Sequence, residues 1–468
     1  MHSLLLLLLT LPAAEAPAPL RAGAAAVDVT PKQYPVNLPG NFAENLAEKS
    51  SDALHVRAIV LDDGKTTVAL VLVDNLGVVR EVCDEVKLLA SRKLSMLPEN
   101  ILISSTHTHS APPANVKAGR PGEVAYRKQL IDGMVEAIVK AGAARRPAKV
   151  GAATHPLPDE VFNRRWFLKP GKMTPNPFGG IDLVRMNPPT TMDVLSHPAG
   201  PTDPDVSVLS FNDAKTNKPL ALYANYSLHY VGGIPPKIAS SDYFGEFARL
   251  MPNRVGGDDR FVAMLTNGAS GDINNIPFGV GRPPREPFEQ IRLVAARTAD
   301  AAYHARAKIT HQADVPLGMV QRPLTLRMRR PDAKQVAWAK EVLAEKDEKK
   351  VLPLAPAYAR RYMRLAESDE KVEVLLQAVR IGDVAICAIP FETFVQIGLD
   401  IKKRSPFGKT IVVGLANGYT GYLPTPEQHR LGGYETWLGT NWVQEDTSVL
   451  ITNQMLEMLN KLAKEKQQ

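Results

Sequence analysis

Short apolar, β-rich runs alternate with amphipathic helices along most of the chain, and this alternation restricts the fold more than any other feature. Strands are expected over residues 24–29, 55–61, 66–74, 100–104, 206–211, 221–226, 261–266, 372–381, 383–389 and 410–415. Helices are expected over 78–94, 123–140, 288–306, 334–344, 392–403 and 448–464. On the first, Val78, Val82, Val86 and Leu89 share one face. The pattern implies an α/β protein, a single large layered domain of mixed β-sheet with flanking helices. No internal repeat is visible. The Pro- and Gly-rich region 155–204 reads as a long loop system, the kind of segment that carries function. The basic, proline-containing stretch 321–332 is the one candidate for a domain break, and it is not taken as one.

Composition excludes several classes. With 44% hydrophobic and 22% charged residues, the chain is neither a disordered tail nor a coiled coil nor a collagen-like fibre. Its 468 residues would allow about three domains of ordinary size. Lys and Arg number 56 against 49 Asp and Glu, a net +7 without any basic block, so nucleic acid is not an expected partner. No feature fixes an oligomeric state.

Residues 1–16 read as a secretory signal peptide and residues 17–468 as the mature chain. Leu4 to Leu9 form an apolar core too short to span a bilayer, and Ala14-Glu15-Ala16 has the small-residue spacing of a cleavage site. Cleavage there removes one acid, Glu15, and no Lys or Arg, moving the balance from +7 to +8. With no later stretch of spanning length, the expected location is secreted or periplasmic. The two cysteines, Cys83 and Cys387, sit in apolar segments and read as buried core thiols.

Chemistry-bearing residues cluster where apolar strands end. Ile101-Leu102-Ile103-Ser104-Ser105 leads into Thr106-His107-Thr108-His109-Ser110, whose two histidines share a face if the backbone stays extended. That spacing suits a metal, a metal ligand beside an acid/base histidine, or a pair of solvated loop residues. Asn225-Tyr226-Ser227-Leu228-His229 ends a second strand. Gly271-Asp272-Ile273-Asn274-Asn275 follows a third, where Asp272 can fix a loop or orient a histidine. Ile389-Pro390-Phe391-Glu392 places a carboxylate at an expected helix start. The run from Asn417 to Tyr422, with Gly433-Tyr434-Glu435 beyond it, is dense in tyrosine and glycine.

In this order, the blocks resemble the amino-terminal catalytic domain of the neutral/alkaline, non-lysosomal ceramidases. The resemblance runs from Gly23–Pro31, similar to the family's opening G-x-x-x-x-D-[IV]-T-P, to Tyr434-Glu435, and T-H-T-H-S is its most specific element. It implies a zinc site with His107, His229, Glu392 and Tyr422 as ligands, His109 as a catalytic histidine outside the ligand set, and Tyr434 as an oxyanion donor twelve residues beyond Tyr422. Arg164, in Phe162-Asn163-Arg164-Arg165, resembles the arginine of the family's N-R motif and would meet a product carboxylate or polar head. Two neutral imidazoles, a carboxylate and a phenol suit Zn2+, which activates water for attack on an amide carbonyl.

The chain departs from the family pattern twice. Asn274, a candidate catalytic residue able to hydrogen-bond substrate, stands where the ceramidases carry a serine proposed as essential, and the chain is expected to lack the family's carboxy-terminal immunoglobulin-like domain. The resemblance therefore implies an exported zinc-dependent amide hydrolase whose substrate is ceramide or another N-acyl lipid, met with peripheral contact at a membrane surface. Two alternatives stay open: a metal-dependent hydrolase of a non-lipid N-acyl compound or ester, and a non-catalytic lipid- or glycan-binding protein with a relic metal pocket.

Overall fold

The computed structural model describes residues 19–40 and 43–464; the expected leader, 1–16, lies outside them. Eight strands build the larger of two main sheets: β1 (Arg21–Asp28), β2 (His55–Asp62), β3 (Thr67–Val73), β4 (Ile101–Ser105), β5 (Arg146–Pro156), β6 (Asp205–Asp213), β7 (Pro219–Tyr226) and β8 (Val262–Asn267). Their order across the sheet is β8-β7-β6-β5-β1-β2-β3-β4. The smaller sheet runs β9-β10-β11-β12, from β9 (Leu317–Arg327), β10 (Lys371–Ile381), β11 (Val384–Ala388) and β12 (Lys409–Val413).

Both sheets are mixed. The pairs β3–β4, β7–β8 and β11–β12 are parallel, and neighbours elsewhere are antiparallel. A parallel pair needs a crossover, and a helix supplies each one. Helix α1 (Arg80–Leu94) joins β3 to β4, α3 (Asp242–Val255) joins β7 to β8, and α7 (Val395–Arg404) joins β11 to β12. The remaining long helices are α2 (Pro121–Ala143), α4 (Glu289–Arg306), α5 (Ala333–Ala344), α6 (Ala355–Ala366) and α8 (Thr447–Lys464).

The two-residue side-chain period sorts the strands into layers. On β2, Ile59 and Leu61 face the second sheet, where they share a core with Val379, Ile386 and Val413. Val56, Ala58 and Val60 face the other way, onto Val82 and Val86 of α1 and Met134 of α2. Helices α3 and α4 cover the same outer face beyond β6, and α7 and α8 cover the outer face of the smaller sheet. The result is four layers, helix–sheet–sheet–helix. Because most strands are buried on both faces, their sequences are continuously apolar rather than alternating. Cys83 and Cys387 are free and buried in different outer layers, as expected of core thiols.

The structure corrects the sequence reading in several places. Region 155–204 contains a three-stranded sheet with Arg165–Leu168 between Val184–Met186 and Leu195–Pro198. Strand β9 runs through 321–327, where the sequence reading places no strand; Pro323 is accommodated because β9 is an edge strand. Glu392 does not begin a helix. It lies in a two-residue strand, Glu392–Thr393, and α7 starts at Val395, whose N–H donates to Asp272 Oδ1 at 2.8 Å.

Candidate metal centre

The three parallel pairs define where the site lies. In open α/β sheets, ligand sites form beyond the carboxyl ends of parallel strands, where crossovers leave a crevice. His107 follows β4, His229 follows β7, Glu392 follows β11 and Tyr422 follows β12. Four strand ends from two stacked sheets thus bring the residues together.

His107 is buried, with φ +71, so the backbone is not extended there and the left-handed turn, rather than strand alternation, aims its ring. Its Nδ1 lies 2.6 Å from the Leu76 carbonyl oxygen, and His229 Nδ1 lies 3.0 Å from that of Ser270. A carbonyl only accepts, so both Nδ1 atoms carry the proton and both Nε2 atoms present lone pairs. Glu392 Oε2 is 3.2 Å from His107 Nε2 and 3.6 Å from His229 Nε2. Neither His229 Nε2 nor Glu392 Oε2 has a hydrogen-bond partner. A buried acceptor left without a donor costs about 1–3 kcal/mol. Converging acceptors with fixed outer hydrogen bonds are what a cation site requires. The donor set therefore fits a metal ion.

Glu392 is placed by backbone contacts. Its N–H donates to the Gly421 carbonyl at 2.9 Å, and Gly271 passes so close that a Cβ there would lie 2.4 Å from the Glu392 carbonyl oxygen. Burial raises its carboxyl, while the charge that His107 and then His229 carry when protonated, together with a hydrogen bond from Tyr422, brings it below the usual carboxylate range. Burial foremost, with Glu392 next, raises the Tyr422 phenol, while Arg164 opposes.

His109 joins the same cluster. One nitrogen from each of His107, His109 and His229 lies within 4.8 Å of the other two. His109 Nε2 is 3.3 Å from His107 Nε2, and its ring stacks on Tyr230 with centroids 3.7 Å apart. Burial, reinforced by His107, pushes its imidazole down to about 3. Tyr434 packs edge-on against Tyr422 at 5.8 Å, and burial pushes its phenol up to about 12.

Arg164 and Asn274 both have protein partners. Arg164 Nε donates to Glu435 Oε1 at 3.0 Å and Nη2 to the Gly271 carbonyl at 2.8 Å, while its guanidinium carbon lies 5.4 Å from the Tyr422 ring centroid. Arg165 donates to the other Glu435 oxygen at 2.7 Å. Asn274 Nδ2 donates to Asn187 Oδ1 at 2.6 Å, and its Oδ1 accepts from Ile276 N at 3.0 Å. Asp272 fixes the start of α7 and accepts from Asn163 at 2.9 Å; its hydrogen bonds do not reach a histidine. Sequence reasoning missed Glu435 and Tyr419, whose hydroxyl donates to Glu392 Oε1 at 2.8 Å. Two adjacent arginines in a buried segment signal the need for such a counter-charge as Glu435.

A cavity of about 490 Å³ adjoins the cluster, walled by Met173, Pro175, Val184, Leu354, Trp437 and Tyr434, the last being the residue that touches Tyr422. Leu354 comes from the α5–α6 loop, and Trp338 of α5 and Tyr362 of α6 pack on Phe178. A larger cavity, about 670 Å³, lies under α3 around Asp52, His55 and Asp242 and holds none of the sequence-predicted site residues. Among the described residues, no helix is long and apolar enough to cross a membrane.

A family model described as neutral/alkaline non-lysosomal ceramidase, N-terminal, matches residues 20–278. The solved structure of neutral ceramidase from Pseudomonas aeruginosa matches with a TM-score of 0.72 and 18% identity, over 96% of this chain and 75% of that one. A ceramidase complexed with C2 matches with a TM-score of 0.71 and 17% identity, over 96% and 76% of the two chains. At such identities the likeness is one of fold. No curated protein matches the sequence.

Proposed function

The chain belongs to the neutral/alkaline non-lysosomal ceramidase family, and from that premise we propose that it is an exported, zinc-dependent hydrolase of the N-acyl bond in ceramide or a related N-acyl lipid. The observation that carries the reading is the convergence of His107 Nε2, His229 Nε2 and Glu392 Oε2, the last two of them without a hydrogen-bond partner. His107, His229 and Glu392 would hold the ion, with the Tyr422 phenol as a fourth donor. Imidazole, carboxylate and phenol oxygen together favour zinc over calcium or magnesium, which prefer all-oxygen sites. When bound, zinc supplies a Lewis acid that polarises the acyl carbonyl and acidifies water.

The chain's own residues supply the rest. His109 stands beside the candidate ligands, its Nε2 3.3 Å from His107 Nε2, and from there its imidazole would take a proton and deliver it to the leaving amine. Tyr434 keeps its phenolic proton and can donate to the developing oxyanion, a role often worth roughly 3–4 kcal/mol. Arg164, held against Tyr422 and the Gly271 carbonyl, would meet a product carboxylate or polar head. The mostly apolar cavity beside Tyr434 receives a hydrocarbon chain, and its volume of about 490 Å³ is within the range of small-ligand pockets. The leader over residues 1–16 is the basis for export, and peripheral contact with lipid follows from the substrate class.

Elemental analysis of purified protein, followed by an N-acyl substrate screen with and without chelator, tests the proposal. One zinc per chain is expected, with chelator-sensitive turnover of N-acyl lipids that His107→Ala and Glu392→Ala abolish while the circular dichroism spectrum is unchanged. Retained activity in both variants overturns it. Turnover confined to short N-acyl amino acids or esters moves the substrate outside lipids, and full ligand binding by metal-free protein without any turnover makes it a binding protein.

A further inference from the structure

Two tyrosines of one short segment reach Glu392, and only one of them is explained by the proposed ligand set. Tyr422 is the register partner of Glu392 in the Glu392–Thr393/Tyr422–Leu423 ladder. Tyr419 approaches from the other side, and its hydroxyl donates to Glu392 Oε1 at 2.8 Å. The other oxygen, Oε2, is the one turned towards His107 and His229. A carboxylate fixed at one oxygen loses its freedom to rotate, so its second oxygen is held where the imidazole lone pairs converge.

The surroundings keep Tyr419 in this position. Asn417 and Gly418 on its amino side have φ of +60 and +157, and Gly421 beyond it has +77, so the backbone makes an irregular turn between the two rings. The Thr420 N–H donates to the Pro390 carbonyl at 2.9 Å, anchoring that turn to the strand end that carries Glu392. On the opposite side of the ring stands Gly77, where a Cβ would come within 2.8 Å of Tyr419 Cγ. Gly77 follows Leu76, whose carbonyl accepts from His107 Nδ1. One ring therefore packs against the loop that orients a histidine and hydrogen-bonds the carboxylate that completes the site.

We propose that Tyr419 is a positioning residue of the metal centre, which holds Glu392 through Oε1 so that Oε2 faces the metal. This inference rests on the metal reading above. The test is Tyr419→Phe, which keeps the ring and removes only the hydroxyl. Zinc affinity, measured by chelator competition, is expected to fall about 10–100-fold. The visible absorption of the Co2+-substituted protein is expected to shift, since it reports ligand geometry. Gly77→Ala, which displaces the same ring, is expected to weaken zinc binding as well. A Tyr419→Phe protein with wild-type zinc affinity and Co2+ spectrum overturns the inference, even if Gly77→Ala loses metal, because packing alone would then account for the site. Wild-type protein that takes up neither ion overturns the metal reading itself, and this inference with it.

Discussion

Glu392 and Tyr422 are opposite each other in a parallel ladder only two residues long, so a carboxylate and a phenol stand side by side although 29 residues separate them in the chain (between 392 and 422). Backbone pairing, not side-chain contact alone, fixes their spacing. Glu392→Gln leaves this ladder intact and puts an amide where Oε1 and Oε2 now diverge in role. Zinc affinity is expected to fall by more than about a hundredfold, beyond what losing an outer hydrogen bond costs. Chelator competition on the folded variant checks this.

Arg164 and Arg165 share one fully buried partner, Glu435. Breaking such a pair strands a buried charge and costs about 3–5 kcal/mol; because Arg165 remains, Arg164→Met should lie near the lower figure. Urea denaturation is expected to show that loss. A raised KM in the folded variant would place Arg164 at the substrate as well.

Asn274→Ser restores the residue type found in the ceramidases. The native amide donates to Asn187 and accepts from Ile276 N in its own loop, so the exchange is expected to cost about 1 kcal/mol and leave ceramide turnover unchanged. A large rise in turnover would show that the position acts in catalysis.

Leu354 lies at the cavity wall and is partly exposed. Leu354→Asp is expected to lower kcat/KM for long N-acyl chains by about tenfold more than for short ones, the order of effect of poor apolar contact in a pocket. Equal losses across a chain-length series would remove the cavity from substrate binding.

His429, in the short helix Pro426–Leu431, is pushed down to about 3 by burial and then by Arg329 and Arg165. Unfolded chain binds a proton there from about pH 6.5 downwards while the folded protein does not, so stability is lost as pH falls from about 6.5 towards 3. The full slope would be about 1.4 kcal/mol per pH unit, and partial exposure brings it to about half. His429→Gln removes this contribution, so the variant is expected to gain on wild type steadily through that window in paired melting curves. A constant difference would show that His429 titrates normally in the fold.

Much of this architecture is legible without coordinates because most central strands are apolar on both faces and their helices are amphipathic. The turn Gly382-Asp383 between β10 and β11 is only half legible: the expected strands break at Gly382, but Asp383 reads as strand and instead lies in the turn across which Ile381 and Val384 pair. Strands β5 and β9 are not legible, since Pro147, Gly151, Gly318 and Pro323 interrupt the pattern that marks a strand and pairing with neighbours overrides local preference. At the site, His107, His229 and Glu392 advertise themselves by following apolar runs. Tyr419 does not, although its segment is conspicuous. Which phenol meets which carboxylate oxygen depends on the register of a two-residue ladder, and so short an element leaves no periodicity to read.

The four strand ends that supply the candidate ligands also set when the centre can exist. His107 and Tyr422 are 315 positions apart (422 minus 107), and they meet only after β12 has docked beside β11 and the following turn has reached Glu392. Contacts of such separation form late, after the local crossovers. An unfolded chain in transit carries its ligands on four unconnected segments and no affinity of the assembled kind. If the centre binds a metal, its loading would thereby be deferred to the compartment in which folding finishes, and the ions free in that compartment, rather than those where the chain is made, would be the ones that compete for the site.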